Sequence, residues 1–504
     1  MKILFVASEC VPFSKTGGLA DVVGALPKFL ATRGYEVTVF LPRYRVTQPG
    51  KVVLPSLTIP LGSTLHFPDV QDARTLDGVR YFFLDYPPYF DRDGLYTVAG
   101  ADHADNAERF ALFSKAALEF AKRIAVPDLI HCHDWQSGLV PVLLKTLYAA
   151  DPLLGRVPVL FTIHNPGYQG LFPAEVMEQV GLPRELFTME RLEFYGQVGF
   201  LKGGLIYADF VSTVSRKYAE EIQTEEYGHG LDGVIRQRAA TVTGILNGVD
   251  YSEWNPETDK FLAAHYSPDN LDGKLTCKKD LLEEFKLPTT DLKKPVIGIV
   301  SRFATQKGFD LIAEIADALM KNDLKIVALG TGEPQFEELF RELAQRFPQK
   351  FAVRVAYDNP LAHKIEGGSD MFLMPSRYEP CGLNQIYSLK YGTVPVVRAT
   401  GGLDDTIDPF DPRTGKGTGF KFVQYSGVAL LKCLQDALRL YAGQPRAWQQ
   451  LLKNGMTKDY SWNTSAGEYE RLYEQVVRHA GAAHDKLSRR GTGGESPAKP
   501  ASSK

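Results

Sequence analysis

The chain has 504 residues, of which 44% are apolar and 23% charged, and its net charge is −3 at pH 7. That length exceeds what one hydrophobic core usually supports, so we expect at least two domains. Because acidic and basic residues are interspersed and nearly balanced, neither a nucleic acid nor a membrane is expected as a partner.

The first residues, MKILFVASEC, are typical of a buried strand rather than a signal peptide, and no run of about eighteen apolar residues follows. A cytoplasmic protein is therefore expected. The five cysteines are scattered without CxxC spacing, so we expect free thiols rather than a zinc site or a disulfide framework.

Short apolar runs rich in Val, Ile and Phe alternate with amphipathic segments. In the first half the runs are KILFVA, EVTVFLP, VRYFFLD, DLIHCH, PVLFTIH, FVSTVS and TVTGILNG. After a polar stretch from Asp250 to Lys294, expected to be irregular, they are PVIGIVSR, LKIVALG, FAVRVAY, MFLMPS, TVPVVRAT and GFKFV. Such alternation predicts an α/β fold with two doubly wound domains, whose parallel sheets bind ligands at the strands' carboxyl ends, in a cleft between the domains.

The domain boundary is predicted in NGVDYSEWNPETD, where Asn-Gly and Asn-Pro are turn signals and Trp254 is expected to anchor a linker. A polar, Gly/Pro/Ser-rich tail is expected to be disordered. The predicted divisions are an N-terminal domain over 1–250, a linker region over 251–294, a C-terminal domain over 295–462, an amphipathic helix over 463–480 that packs back on the N-terminal domain, and a tail over 481–504.

The stretch SKTGGLADVVGALP follows the first strand and places Lys15, Gly17 and Gly18 just before a helix. Glycines let a ligand approach the backbone, free N–H groups at a helix start favour an anion, and Lys15 adds a point charge. The alternative is a tight turn with a surface lysine. The motif is neither a Walker A sequence nor GxGxxG, which disfavours a nucleoside triphosphate or a dinucleotide in its usual site.

The stretches HCHDWQ and HNPGYQG follow two further predicted strands. His131 and His133 point to one face of a strand next to Asp134, but no third metal ligand is assured, so a polar patch at a cleft rim is favoured over a metal site. His164 ends the next strand, and a hydrogen-bonded structural histidine is its alternative interpretation.

The second half repeats the anion-binding pattern. Arg302 and Lys307 flank a strand-to-helix turn in SRFATQKG, and together they could neutralise a diphosphate leaving group. Pairing with solvent or nearby acids is the alternative. RATGGLDDTI places Gly401 and Gly402 before another helix and predicts a second anion site.

Glu379 lies in the turn YEPCG just ahead of a helix. A carboxylate at a helix start is often a cap, since the helix dipole stabilises it. Because Glu379 shares a predicted sheet edge with Arg302, Lys307 and Gly401, ligand contact is favoured over capping.

These motifs in order, from KTGGLADV through HDW, HNPGYQG, SRFATQKGFD and PSRYEPCGLNQIYSLKYG to ATGGLDDT, resemble the bacterial glycogen synthases and plant starch synthases over about residues 1–480. The resemblance implies a GT-B fold, with two Rossmann-like domains facing a cleft, the N-terminal domain on the acceptor side and the C-terminal domain on the nucleotide-sugar side. It also implies retaining glucosyl transfer from ADP-glucose to the non-reducing end of an α-1,4-glucan, without a metal or cofactor.

The resemblance implies a role for each motif. Residues matching Arg302 and Lys307 hold the diphosphate, the match for Tyr357 stacks on adenine, and the match for Glu379 binds glucose hydroxyls. The implied catalytic residues are Glu379, Arg302, Lys307, His164 and Asp134. The implied substrate-binding residues are Lys15, Gly17, Gly18, Asp21, Asn247, Tyr357, Cys381, Gly382, Thr400, Gly401 and Gly402.

The family is understood to react on one face of the sugar, with the departing diphosphate as the base. One position departs from many retaining enzymes of this fold, because Tyr387 stands where they carry a second glutamate that binds ribose. Three alternatives remain: a glucan phosphorylase with pyridoxal phosphate, for which no lysine-centred motif is evident, a non-catalytic glucan-binding protein, and a nucleotide-sugar epimerase.

Overall fold

The computed structural model of the chain describes residues 1–98, 100–124 and 126–491, with side chains as far as residue 482. These residues form two compact units. Unit 1 comprises Met1–Ser212, Gly233–Val242 and the chain from Ala466 onward, and unit 2 comprises Thr213–Asp232 and Thr243–Ser465.

The strands are β1 Lys2–Val6, β2 Glu36–Pro42, β3 Lys51–Leu54, β4 Ile59–Leu61, β5 Thr64–His66, β6 Asp69–Leu76, β7 Val79–Asp85, β8 Thr97–Val98, β9 Ala101–Asp102, β10 Leu129–His133, β11 Val159–Ile163, β12 Leu171–Pro173, β13 Glu193–Phe194, β14 Gln197–Gly199, β15 Phe210–Thr213, β16 Val242–Gly244, β17 Val296–Val300, β18 Lys325–Gly330, β19 Phe351–Val355, β20 Met371–Met374, β21 Val394–Arg398 and β22 Phe420–Phe422.

The α-helices are α1 Gly18–Thr32, α2 Pro87–Phe90, α3 Asn106–Ile124, α4 Leu139–Lys145, α5 Val176–Gln179, α6 Phe200–Tyr207, α7 Arg216–Glu221, α8 Asp232–Gln237, α9 Asp272–Glu284, α10 Phe309–Leu319, α11 Pro334–Arg346, α12 Asn359–Gly368, α13 Asn384–Lys390, α14 Gly401–Thr406, α15 Gly427–Gly443, α16 Pro445–Met456 and α17 Trp462–Gly491. None of these described helices has the length and apolar content needed to span a bilayer.

The large sheet of unit 1 has the strand order β16-β15-β11-β10-β1-β2-β7-β6-β3. Its centre is parallel, with β1 between β10 and β2, and β6 and β3 extend one edge in antiparallel pairing. The strand order reverses between β1 and β10. In sheets of this kind that switch point is where ligands bind, at the carboxyl ends of the strands.

The sheet of unit 2 has the order β19-β18-β17-β20-β21-β22, and its neighbouring strands pair in parallel. This is the strand order of a Rossmann fold, with its switch point between β17 and β20. The residues of β17 and β18 are almost all buried because helices cover both faces, which explains their continuous apolar sequences.

Amphipathic helices close the core of unit 2. In α10, Phe309, Ile312, Ile315 and Leu319 are buried at helical spacing and belong to one apolar cluster with the strands. In unit 1 the same periodicity holds in α17, whose Tyr469, Leu472, Tyr473 and Val476 are buried.

All the apolar runs predicted as strands are strands in the structure, and both main sheets have parallel cores, so the predicted α/β architecture is confirmed. The expectation of an irregular stretch between Asp250 and Lys294 is wrong for α9. That helix has a weak apolar period, but Leu281 and Leu282 pack against Leu361 and Ile365 of α12, and tertiary packing stabilises it.

The compact units divide the chain differently from the predicted domains. Residues 213–232 and 243–250 pack in unit 2, and α17 continues to Gly491, beyond its predicted end at residue 480. The predicted disordered tail lies, from residue 492 onward, outside the described residues. The assignment of donor and acceptor roles to domains stays a prediction.

Candidate active site

The switch point of unit 2 collects the predicted cations and carboxylate. Arg302 and Lys307 lie in the loop after β17, and Glu379 lies in the loop after β20, its parallel neighbour. Because parallel neighbours end at the same edge of the sheet, residues 77 positions apart in the chain, Arg302 and Glu379, belong to adjoining loops.

Lys307 and Glu379 form a direct ion pair. Lys307 Nζ donates to Glu379 Oε2 at 2.7 Å, and the two side chains are only 17% and 7% exposed. Ser376 Oγ donates to the same carboxylate at 3.0 Å. Capping, the alternative role for Glu379, is not observed, since α13 begins after Leu383 without a side-chain cap. Both residues were predicted at one edge of the sheet, but the ion pair between them was not.

A glycine brings Lys307 to this position. Gly308 has φ +73°, and a Cβ there would lie 2.0 Å from the carbonyl oxygen of Pro375. Only glycine fits such a left-handed conformation at such close range. The turn after β17 therefore packs directly on the end of β20, beneath Glu379.

Arg302 and Tyr357 lie open to solvent. No hydrogen bond or ion pair joins the Arg302 guanidinium to any residue that the structure describes, and the residue is exposed. Tyr357 follows β19 and is 83% exposed. A planar cation fork and an aromatic face are thus available to a ligand without loss of a buried contact.

The Gly401–Gly402 turn has its N–H groups engaged. Gly401 N donates to Glu221 Oε2 at 3.0 Å, and Gly402 N donates to the Glu379 carbonyl oxygen at 3.1 Å. Gly401 has φ +45°, and a Cβ there would lie 1.9 Å from that carbonyl oxygen. Thr400 is fully buried and donates from Oγ1 to Glu221 Oε2 at 3.1 Å. The groups expected to face an anion are thus bonded to protein acceptors.

Cys381, Gly382 and Asn247 lie together beneath this turn. Burial raises the pKa of the Cys381 thiol to about 12, although a hydrogen bond with the Asn247 backbone lowers it. The thiol is therefore protonated at neutral pH. Gly382 has φ +70°, and a Cβ there would lie 2.5 Å from Gln385 Oε1. Asn247 is buried, and its Oδ1 has no partner among the described residues.

Tyr387, the position of the departure from other enzymes of this fold, stacks on Trp254. Their ring centroids are 3.9 Å apart with an interplanar angle of 6°. His363 stacks on Trp254 as well, at 3.7 Å and 11°. The Tyr387 ring therefore takes part in an aromatic stack within unit 2, and Trp254 anchors the stretch after Asp250 there.

In unit 1 the glycines after β1 leave open space. Neither Gly17 nor Gly18 has a positive φ, and a Cβ at either position would meet no atom within 4 Å. The fold itself does not require glycine there, which argues against the tight-turn alternative. Lys15 Nζ pairs with Asp21 Oδ1 at 2.7 Å, with the side chains 42% and 31% exposed. Such an exposed ion pair contributes about 0–1 kcal/mol to stability, so Lys15 can leave Asp21 and bind another anion.

Asp134 and His164 lie at the carboxyl ends of β10 and β11. His164 N donates to Asp134 Oδ1 at 2.7 Å. Burial raises the pKa of Asp134 to about 7 and lowers that of His164 to about 3. Asp134 also has φ +53°, an unfavourable conformation for a residue with a side chain, and such strain is concentrated at functional sites. The carboxyl can therefore hold or release a proton near neutral pH.

His131 and His133 are buried residues in the carboxyl-terminal half of β10. His131 bonds to Tyr473 Oη at 2.9 Å and to Thr162 Oγ1 at 2.6 Å, and His133 Nδ1 lies 3.0 Å from His164 Nε2. Within the described part of the chain, no group of three or more His, Cys, Asp or Glu side chains could hold a metal ion. The histidines form a buried hydrogen-bonded cluster in unit 1.

Two buried carboxylates near these motifs were not predicted from the sequence. Glu9, after β1, accepts hydrogen bonds from Thr16 N, from Thr16 Oγ1 at 2.7 Å, from Gly17 N at 3.3 Å and from Tyr96 Oη at 2.9 Å. Its position at a strand end is a signal that could have found it. Glu221 lies at the end of α7 and carries no comparable signal, because its partners are about 180 residues away.

Two family models match the chain. One, described as the starch synthase catalytic domain, matches residues 2–237, and the other, glycosyl transferases group 1, matches residues 282–450. A glycogen synthase of Koribacter versatilis is 60% identical over 478 residues, which are 94% of this chain and 98% of that protein. Glycogen synthase 1 of Geobacter metallireducens is 48% identical, over 95% of this chain and 96% of its own.

Solved structures give the same relationship. The catalytic domain of starch synthase IV from Arabidopsis thaliana, bound to ADP and acarbose, matches with a TM-score of 0.85 and 33% identity, over 95% of this chain and 99% of that one. Sucrose-phosphate synthase from Thermosynechococcus elongatus matches with a TM-score of 0.59 and 19% identity, a likeness of fold alone.

Proposed function

The chain belongs to the family of bacterial glycogen synthases and plant starch synthases, and we propose that it elongates an α-1,4-glucan with glucose from ADP-glucose, retaining the anomeric configuration. Family membership makes it a glycosyltransferase of glycogen synthesis with the GT-B fold. The observation that carries the finer proposal is the Lys307–Glu379 ion pair at the switch point of unit 2, with Arg302 in the same loop as Lys307.

The donor diphosphate is assigned to Arg302 and Lys307. Arg302 offers a planar fork that no described residue engages, and Lys307 has three N–H donors, of which one suffices for Glu379. Lys307 can therefore bind a phosphate oxygen and keep its carboxylate partner. Glu379 then has acceptor positions left for the glucose hydroxyls.

The choice of ADP-glucose is supported by the likeness to starch synthase IV, which was solved with ADP. Tyr357, 83% exposed after β19, is the proposed stacking surface for adenine. Tyr387 does not act as a ribose-binding carboxylate in this proposal, since it lacks the charge and its ring stacks on Trp254.

Leaving-group stabilisation supplies most of the proposed catalysis. Negative charge grows on the diphosphate as the glycosidic bond breaks. Lys307, held by Glu379 in a part-buried site, stabilises that charge together with the exposed guanidinium of Arg302. Retention is proposed to occur on one face, with the departing diphosphate accepting the proton of the acceptor 4-hydroxyl. The proposed reaction uses neither metal nor cofactor, because the two cations perform the electrostatic role.

Unit 1 is proposed to contact the acceptor, and its Lys15 is proposed as a substrate-binding residue. Asp134 and His164 offer a carboxyl of raised pKa and a neutral imidazole at neighbouring strand ends. The open space at Gly17 and Gly18 suits a ligand that approaches the backbone.

The sugar pocket of unit 2 is proposed to be shaped by Asn247, Cys381, Gly382 and Thr400. A cytoplasmic location stays a prediction.

A competition assay tests the proposal. The enzyme is incubated with glycogen and equal concentrations of ADP-glucose and UDP-glucose, each carrying a different radiolabel in glucose, and label in the polymer is counted. ADP-glucose label is expected to exceed UDP-glucose label at least tenfold. Equal incorporation would refute the donor assignment, and release of label as free monosaccharide would favour an epimerase or hydrolase.

A further inference from the structure

The segment Thr213–Asp232 packs in unit 2 although unit 1 residues precede and follow it in the sequence. Within unit 2 it bonds to two of the proposed donor loops. Ser215 Oγ donates to the Pro380 carbonyl oxygen at 2.6 Å, and Lys217 N donates to Asp405 Oδ2 at 2.9 Å. The segment is therefore bonded to the loop of Glu379 and to α14, the helix that begins at Gly401.

Within this segment, Glu221 bonds to the turn formed by Thr400 and Gly401. One carboxylate oxygen, Oε2, accepts from both Thr400 Oγ1 and Gly401 N, at 3.1 and 3.0 Å. Glu221 is 8% exposed, and burial raises its pKa while the two hydrogen bonds lower it. A buried carboxylate that satisfies two buried donors fixes both of them in place.

The turn that Glu221 fixes is joined to the proposed catalytic pair. Gly402 N donates to the Glu379 carbonyl oxygen, and Gly401 lies so close to that carbonyl that a Cβ would not fit between them. The side chain of Glu379 in turn pairs with Lys307. A displacement of the turn would therefore move the backbone that carries the Glu379 carboxylate.

We propose that Glu221 is a positioning residue for the donor site, whose carboxylate oxygen holds the Thr400–Gly401 turn and thereby the Glu379–Lys307 pair. The proposal rests on the proposed function, which gives that pair its role. In this proposal, glycine is needed at position 401 because a Cβ would not fit there, and its N–H donates to Glu221 rather than to a ligand. The proposal also extends the donor site to α7, which no sequence motif indicated.

Three substitutions of Glu221 separate the effect of its hydrogen bonds from the effect of its charge. Glu221→Gln keeps an acceptor oxygen for both donors without the charge, Glu221→Asp keeps the charge on a side chain one methylene shorter, and Glu221→Ala removes the acceptor. Glu220→Ala is the matched control, because the neighbouring Glu220 side chain is 71% exposed and pairs only with Lys217 among the described residues. The readouts are kcat and KM for ADP-glucose, the melting temperature, and amide hydrogen exchange of peptides covering residues 398–406.

Glu221→Gln is expected to keep at least a third of the parent kcat and a melting temperature near that of the parent. Glu221→Asp should keep less of the kcat, and Glu221→Ala a tenth or below, with a lower melting temperature because Thr400 Oγ1 and Gly401 N lose their acceptor. Amide hydrogen exchange over residues 398–406 should accelerate in the same order.

A parent-level kcat in Glu221→Ala overturns the proposal. A kcat lower in Glu221→Gln than in Glu221→Asp also overturns it, because the charge of Glu221 would then be decisive. A lower KM in Glu221→Ala also overturns it, since Glu221 would then be an anion competing with the donor. If the parent transfers no glucose at all, the proposed function fails, while the exchange order still decides whether Glu221 holds the turn.

Discussion

Lys307 and Glu379 lie 2.7 Å apart with little exposure, so neither side chain acts alone. Removal of one partner leaves the other as a poorly compensated buried charge. Lys307→Ala and Glu379→Ala are each expected to lower kcat by at least about 100-fold, the scale of a lost transition-state donor. The double variant should lose much less than the product of the two, because both changes break one unit.

Steady-state kinetics with ADP-glucose and glycogen measure this coupling. Lys321→Ala, at an exposed position after α10, is the control for loss of a lysine. Cys381→Ser should cost little, since the thiol is protonated at neutral pH. Strict additivity of Lys307→Ala and Glu379→Ala would contradict the shared role, and complete inactivity of Cys381→Ser would indicate a catalytic thiol.

Asp134 makes the stability of the protein depend on pH. Its pKa is raised from 3.8 to about 7 by burial, so between those values the folded state binds more protons than the unfolded state. Stability therefore falls as the pH rises through this window, by up to about 4 kcal/mol for one group. Asp134→Asn keeps the oxygen that accepts from His164 N and removes the titration.

The Asp134→Asn variant is thus expected to melt at a higher temperature than the parent at pH 8, with a much smaller difference at pH 4.5, while its turnover falls. Differential scanning calorimetry at both pH values measures the difference. A gain that is equal at both pH values, or larger at pH 4.5, would show that burial of the Asp134 charge does not cause it.

Residues were predictable from sequence where a strand ends in an unusual motif. Lys15, Arg302, Lys307 and Glu379 all follow strands and were identified in this way. Their partners were not predictable, because pairing depends on which loops adjoin in space. Glu221 is the clearest case, since it lies in an ordinary helical stretch and its contacts with Thr400 and Gly401 arise only from tertiary packing.

At the scale of the element, the glycines of α1 and of its N-cap have different surroundings. Gly17, its N-cap residue, faces open space, whereas a Cβ at Gly24 within the helix would lie 2.3 Å from Val11 Cγ2. Gly17→Ala is expected to melt within about 2 °C of the parent but to lower kcat/KM for ADP-glucose at least tenfold, because the methyl group enters the proposed ligand space. Gly24→Ala should lose about 1–3 kcal/mol of stability through overpacking.

Thermal melts and initial rates of Gly17→Ala and Gly24→Ala show whether each glycine is needed for ligand binding or for packing. If Gly17→Ala loses stability without a specific loss of activity, the glycine serves the fold and the tight-turn interpretation is correct. If Gly24→Ala is as stable as the parent, the helix shifts away from Val11 at no cost.

The elements themselves show what periodicity can and cannot predict. The central strands were evident because burial on both faces produces unbroken apolar runs, as in β17 and β20. The antiparallel strands β3 and β6, at one side of the unit 1 sheet, were missed, since half-exposed strands carry more polar residues. The helix α9 was missed for a similar reason, because α12 rather than its own periodicity stabilises it.

At the scale of the whole molecule, the two units repeat one arrangement. Each has a main sheet with a parallel core whose strand order reverses beside its first strand. In each, the loop after that strand carries a lysine, Lys15 or Lys307, near a helix start. Each also has a Gly-Gly turn with an N–H bonded to a buried carboxylate, Glu9 or Glu221. The alternation of strands and helices was enough to predict two such sheets, but not these carboxylates.

The measurement that tests the central claim most directly is proton NMR of the reaction between ADP-glucose and a short maltooligosaccharide. We predict that the anomeric signal of ADP-glucose disappears as new α-1,4 signals grow in equal amount, with ADP as the other product. A new β linkage would contradict retention. Consumption of ADP-glucose without growth of the oligosaccharide would contradict the proposed glucan synthase itself.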